Sequence, residues 1–249
     1  MQGVLYVSHG TRLKEGEKEA IDFLTSLQSY VQAPLQQISF LELCSPSIEQ
    51  GLEKLVKDGA TAITVVPVLL LSAGHDKHDI PEELLRIEEK YPTISFRYVN
   101  ALGVQDRLID TLLVRIKEVS SQLNQMESVL LVGRGSYMQS TQDDIETIAS
   151  KLGGKIDRQV DVSYLAACKP SFDETLLQMA ESGIKTGIII PYLLFNGLLL
   201  QSMKEKVEKY NQVNEANILL CNTLGDHPNI KQAFIDRAHS RLLENAAFH

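Results

Sequence analysis

The sequence predicts an α/β protein made of two duplicated lobes. Each lobe is a four-stranded parallel sheet flanked by helices, with a cleft between the two. Three observations lead there. Short aliphatic runs alternate with amphipathic segments along the whole length, the pattern is written twice, and the composition suits a chain that buries a sizeable core. The 249 residues are 44% hydrophobic and 22% charged, with a mean hydropathy of −0.07; a chain of this size and balance folds without disulfide or metal staples.

The first repeat unit reads in chain order. Val4–Val7, Ile38–Leu43, Ala62–Leu71 and Ile94–Val99 are runs of β-branched and aliphatic residues, too short and too continuous for half-exposed helices. Between them, residues 14–31, 47–58, 81–91 and 105–122 place apolar residues at helical spacing. Strands alternating with helices predict parallel pairing, because parallel neighbours need a crossover and helices are what covers the sheet. Asp79 is predicted to N-cap the third helix, with Glu82 three residues on as in a capping box and Pro81 in the first turn.

The same order then restarts. VLYVSHGTR (4–12) returns as VLLVGRGSY (129–137), an offset of 125 from His9 to Arg134. FLELCSPSIEQGLEKLVKDG (40–59) returns as YLAACKPSFDETLLQMAESG (164–183), an offset of 124 from Cys44 to Cys168. AITVVPVLLLSAG returns as TGIIIPYLLFNGL with Pro67 facing Pro191, and NALG (100–103) returns as NTLG (222–225). Four matches in order predict an N-terminal lobe over 1–123 and a degenerate C-terminal repeat over 124–249.

The duplication supplies an internal control. Core positions carry over: Phe40 faces Tyr164, Leu52 faces Leu176 and Leu71 faces Phe195. Ionisable positions at strand ends do not, since His9 faces Arg134, Glu42 faces Ala166 and His75 faces Leu199. A kept scaffold with lost polar groups is the mark of a duplication in which one copy alone retains the chemistry. The first lobe is therefore expected to carry the site, at the carboxyl ends of its strands. Two imidazoles and a carboxylate from three strand ends suit a divalent first-row metal, and they also suit proton transfer near neutrality. His78 lies on the approach to the third helix and is the weaker candidate. Cys44 recurs as Cys168, so it tracks the fold and not the chemistry.

Other classes are disfavoured. A net charge of −8 argues against a general nucleic-acid binder, which needs a basic surface. GRGSYM (133–138) lacks the last glycine of a dinucleotide fingerprint, and no phosphate loop or nucleophile elbow occurs. The longest apolar run, 188–200, is interrupted by Pro191, Tyr192, Asn196 and Gly197, so no membrane span is expected. Three unpaired cysteines and no secretory leader pattern predict a cytoplasmic protein, which counts against a two-lobed solute-binding protein.

Ser8-His9-Gly10-Thr11-Arg12 at the first strand end, Glu42 after the second and LSAGHDKHDIP (71–81) after the third together resemble the sirohydrochlorin chelatases of the CbiX/SirB type, the class II tetrapyrrole chelatases. The resemblance covers essentially the whole chain. It implies a lyase that inserts Fe²⁺ into sirohydrochlorin, giving sirohaem and releasing two protons, with no ATP and no organic cofactor; Fe²⁺, Co²⁺ or Ni²⁺ is a substrate. It implies that His9 and His75 bind metal and accept protons, with Glu42 an acidic partner in the same pocket. A substrate ringed by carboxylates calls for donors and positive charge, for which Ser8, Arg12, Ser72, Lys77, Arg134 and Ser136 stand at the right ends of strands. The apolar stretch 195–200 is a candidate for one macrocycle face. The expected partners are sirohydrochlorin and a divalent metal, with no nucleic acid or membrane, and the expected state is a monomer. A sirohydrochlorin cobaltochelatase and a non-catalytic metal or tetrapyrrole carrier remain the alternatives.

Overall fold

A computed structural model describes residues 1–72, 79–225 and 227–242. The element order is β1 (Gln2–Ser8), α1 (Lys14–Gln28), β2 (Leu35–Phe40), α2 (Ile48–Lys57), β3 (Ala62–Pro67), α3 (Ile80–Lys90), β4 (Ser95–Tyr98) and α4 (Asp106–Val119). It repeats as β5 (Ser128–Gly133), α5 (Gln139–Ile156), β6 (Asp161–Tyr164), α6 (Phe172–Glu181), β7 (Thr186–Tyr192), α7 (Leu198–Asn214), β8 (Asn217–Leu220) and α8 (Pro228–Leu242). The two sheets are ordered β2-β1-β3-β4 and β6-β5-β7-β8, and every pairing is parallel. The predicted fold class is thus met. The register is duplicated as well: Ser8 lies opposite Phe40, and its counterpart Gly133 lies opposite Tyr164.

Alternation along the strands builds the cores. Leu5 and Val7 of β1 join Ile63 and Val65 of β3, and onto them pack Ile48, Leu52 and Leu55 of α2 with Ile80, Leu84 and Ile87 of α3. In the second copy Leu130 and Val132 take the same places beneath Phe172 and Leu176 of α6 and Met203 and Val207 of α7. Burying each such side chain contributes about 1.5–3 kcal/mol, which is why these positions survive duplication.

Two differences from the sequence expectation have physical reasons. The third strand is expected to run to Leu71, but β3 ends at Pro67. Beyond the strands, the carbonyls of Leu69 and Leu70 accept from the amides of Leu102 and Gly103, as Leu193 and Leu194 accept from Leu224 and Gly225. Asp79 stands at the N-cap of α3, but its backbone is helical (φ −66°, ψ −48°) and its side chain makes no cap hydrogen bond; an N-cap side chain reaches back only from extended backbone. The capping boxes are elsewhere, at Ser47 with Gln50 on α2 and at Ser171 with Glu174 on α6.

The compact units do not coincide with the repeat boundary at 123/124. One consists of Met1–Gly103 with Pro228–His249, the other of Val104–His227. The helix after the fourth strand of each repeat is exchanged. In the first unit α8 packs on α1 and β3, with Phe234 edge-on to Phe23 at 5.8 Å between ring centroids. In the second, α4 packs on α5 and β7. Each exchanged helix carries an arginine that holds the turn after the fourth strand. Arg237 donates to the Leu102 carbonyl at 2.8 Å, and Arg115 to the carbonyls of Thr223 at 2.7 Å and Leu224 at 3.0 Å. No helix among the described residues is long and apolar enough to cross a membrane.

Candidate active site

The loops after β1 and β2 are zipped together by main-chain bonds. Leu41 N–H donates to the Ser8 carbonyl at 2.8 Å and Glu42 N–H to the His9 carbonyl at 3.1 Å, so Glu42 sits beside His9 although β2 has ended. The second loop is closed on itself, with Phe40 N–H donating to the Pro46 carbonyl across a cis Ser45–Pro46 bond. Cys44 Sγ adds a tie, donating to the Thr11 carbonyl at 3.2 Å and accepting from its amide at 3.4 Å. Gly10 permits the approach. Its φ is +95°, and a Cβ there would lie 1.8 Å from the Glu42 carbonyl oxygen; only glycine fits.

Within this frame His9 Nε2 lies 3.4 Å from Glu42 Oε1. The imidazole is about a quarter exposed and the carboxylate about half, so both are open to small solutes. On the other side of the ring, Nδ1 lies 3.2 Å from the Gly10 carbonyl. A carbonyl only accepts, so that contact places the proton on Nδ1. Nε2 then faces a carboxylate with its lone pair, an arrangement that a shared cation satisfies. Two donors about 2.1 Å from one metal ion at a tetrahedral angle are roughly 3.4 Å apart. The pair can therefore hold a divalent ion.

The second repeat reproduces the frame without the imidazole and the carboxylate. Leu165 and Ala166 amides donate to the Gly133 and Arg134 carbonyls, each at 3.0 Å. Gly135 has φ +93°, with a Cβ position 1.8 Å from the Ala166 carbonyl. Arg134 and Ala166 stand where His9 and Glu42 stand.

The remaining candidates divide. Arg12 and Arg134 are exposed and Ser72 is half-buried. Ser8 is only 5% exposed, leaving little surface for a ligand. The Ser136 hydroxyl accepts from the Met138 amide at 3.1 Å, as Thr11 accepts from Leu13 at 3.2 Å; both shape the start of a helix. His75 and Lys77 lie outside the described residues, as does His78. The counterpart of His75, Leu199, is 37% exposed in the first turn of α7. Among the described residues no group of three or more metal-ligating side chains occurs. A cavity of about 270 Å³ opens beside the site between the starts of α2 and α3, lined in part by Glu49, Asp79, Glu82 and Glu83. It is small for a macrocycle and its charge repels carboxylates.

Fold and site define a duplicated parallel α/β protein with an imidazole–carboxylate pair at the carboxyl end of its first sheet. The family model CbiX matches residues 3–119 and again residues 128–241: the chain belongs to the CbiX family and carries its domain twice. The sirohydrochlorin ferrochelatase of Priestia megaterium is 41% identical over 228 residues, covering 91% of this chain and 85% of that protein. The sirohydrochlorin ferrochelatase of Bacillus subtilis (strain 168) is 38% identical over 237 residues, covering 95% and 90%. The solved structure of SirB from Bacillus subtilis with Fe³⁺ superposes with a TM-score of 0.87 at 36% identity, covering 99% of this chain and 98% of that one.

Sequence reasoning missed the backbone part of the site, for which the duplicated glycines are the available signal. Gly10 and Gly135 occupy matching positions, and a glycine held in both copies marks a conformation no other residue adopts cheaply.

Proposed function

We propose that the protein is a sirohydrochlorin ferrochelatase, a lyase that inserts Fe²⁺ into sirohydrochlorin and releases two protons. The observation that carries the reading is the His9–Glu42 pair at 3.4 Å, present in one repeat and replaced by Arg134 and Ala166 in the other. Family membership and relatives named for this reaction support it.

Metallation exchanges two pyrrole N–H protons for one M²⁺. His9, with Nδ1 engaged by Gly10, offers Nε2 to the metal or to a pyrrole proton, and Glu42 offsets the ion's charge. His75 is the second imidazole, on the strength of its place in LSAGHDKHDIP and its one-sidedness against Leu199. Holding metal and macrocycle together turns an encounter into a positioned step. Arg12 and Arg134, with Ser72 and Lys77, are assigned to the substrate's carboxylates. Iron is the assigned metal, with Co²⁺ and Ni²⁺ as competing substrates, and no organic cofactor takes part. The protein works as a cytoplasmic monomer without nucleic acid or membrane, and residues 1–123 supply the reacting groups.

The test is anaerobic metallation of sirohydrochlorin by the purified protein, monitored by absorbance with Fe²⁺, Co²⁺ and Ni²⁺ in turn. Acceleration greatest with Fe²⁺ is expected. His9→Ala and His75→Ala are each expected to lose a factor of about 10²–10⁴, while Leu199→Ala keeps its rate. No acceleration with any metal refutes the enzyme reading, and tight binding without turnover would leave a carrier.

A further inference from the structure

Leu43 stands next to Glu42 in the closed loop after β2. It is 52% exposed and holds φ +66°, in the left-handed region that disfavours side chains. Singly exposed leucines are ordinary on protein surfaces, so exposure alone says nothing. The second repeat makes the comparison informative. Ala167, the counterpart, is also exposed and holds φ +65°, within the same main-chain bonds; Cys44 N–H donates to the Glu42 carbonyl and Cys168 N–H to the Ala166 carbonyl, each at 2.8 Å. The left-handed turn is therefore a property of the loop, and alanine builds it as well as leucine. Leu41, two residues earlier, packs on the first core, and its counterpart Leu165 packs on the second. The structural leucine is kept in both copies. Leu43 belongs to neither core and occurs only in the copy that has the imidazole and the carboxylate.

We propose that Leu43 is a substrate-contacting residue whose isobutyl group packs on the apolar face of the tetrapyrrole ring next to the metal-handling pair. The proposal rests on the tetrapyrrole reading of the site. Glu42 and Leu43, adjacent in the chain, divide the work: the first meets charge and the second meets the ring. The turn common to both copies presents a leucine to solvent in this one, where folding requires none.

The test compares wild type with Leu43→Ala, Leu43→Gly and the control Ala167→Leu. Two quantities are read: steady-state metallation of sirohydrochlorin, and the Kd of metal-free sirohydrochlorin from its fluorescence. Leu43→Ala is expected to raise KM and Kd for the macrocycle about tenfold, with kcat within about twofold and an unchanged thermal midpoint. Leu43→Gly relieves the backbone strain, so its midpoint holds or rises while its KM rises, a combination that a purely structural leucine does not give. Ala167→Leu leaves both constants at their wild-type values. KM and Kd of Leu43→Ala within about twofold of wild type would overturn the proposal. Binding by wild type without turnover would defeat the chelatase reading, and the Kd ratio would still decide Leu43. Absence of both binding and turnover in wild type would defeat the two together.

Discussion

Gly10 and Gly135 separate what a residue does for the fold from what it does for the site. Both hold φ near +95°, and both face a carbonyl oxygen at 1.8 Å from the missing Cβ, that of Glu42 in one case and of Ala166 in the other. The same methyl group added to either forces the same loop apart, at a cost of about 1–3 kcal/mol for the backbone conformation alone. The consequences for chemistry differ, because only the Gly10 loop carries an imidazole. Gly10→Ala displaces the Glu42 carbonyl and takes its side chain out of reach of His9, so metallation should fall by a factor of about 100 or more. Gly135→Ala should lose comparable stability in urea and keep most of its kcat, with any kinetic loss confined to KM through Arg134. Equal losses of rate in the two variants, at matched stability, would place the chemistry outside the β1–β2 loop pair. His9 and Glu42 were legible in the sequence because their counterparts are Arg134 and Ala166. Their distance was not, because it depends on Glu42 continuing the β1 pairing two residues after the strand ends.

At the scale of elements, strand order and strand type were legible and helix capping was not. Asp-Ile-Pro-Glu satisfies the pattern of a capped helix start, yet the backbone at Asp79 is helical and its side chain makes no cap hydrogen bond. The working boxes lie in SPSIEQ and KPSFDE, where the serine is extended and the third helical residue reaches back. The two boxes differ in charge. Gln50 closes the first and Glu174 the second, where contact with Lys169, together with bonds from Ser171, holds the carboxyl down at about 2. A folded-state pKa below the unfolded one contributes stability that is present above the usual carboxylate range, and that stability is lost as pH falls through the folded value. Glu174→Gln imitates the first box. Its thermal midpoint should lie below wild type at pH 7, with the gap closing between about pH 4.3 and pH 2, as measured by circular dichroism across that range. A gap independent of pH would mean that the hydrogen-bond geometry of the box matters and the charge does not; since the group is exposed, the effect should be small and salt-sensitive.

At the scale of the molecule, the duplication is visible in the sequence and the helix exchange is not. Four sequence matches mark where one copy ends and the next begins, and the CbiX model falls on both copies. Nothing in the apolar period of α4 or α8 tells which sheet it will cover, because the two sheets present equivalent faces; the choice is made by packing. The structure assigns α8 to the unit of Met1–Gly103 and α4 to the other, and Arg237 and Arg115 hold the corresponding turns. The unit that holds His9 and Glu42 is thus completed by α8, a helix from the repeat that has Arg134 and Ala166 in their places. Phe234 is fully buried against Phe23, and truncating such a ring costs about 3–5 kcal/mol. If the compact units are the units of stability, Phe234→Ala weakens amide protection over residues 1–103 and over α8, while 104–227 stays protected. If the repeats were the units, the loss would fall on 124–249 and spare 1–103. Native-state hydrogen exchange read by mass spectrometry distinguishes the two. The first pattern should bring with it a fall in metallation from a substitution far along the chain from His9, since the loops that hold His9 and Glu42 stand on the sheet that α8 covers.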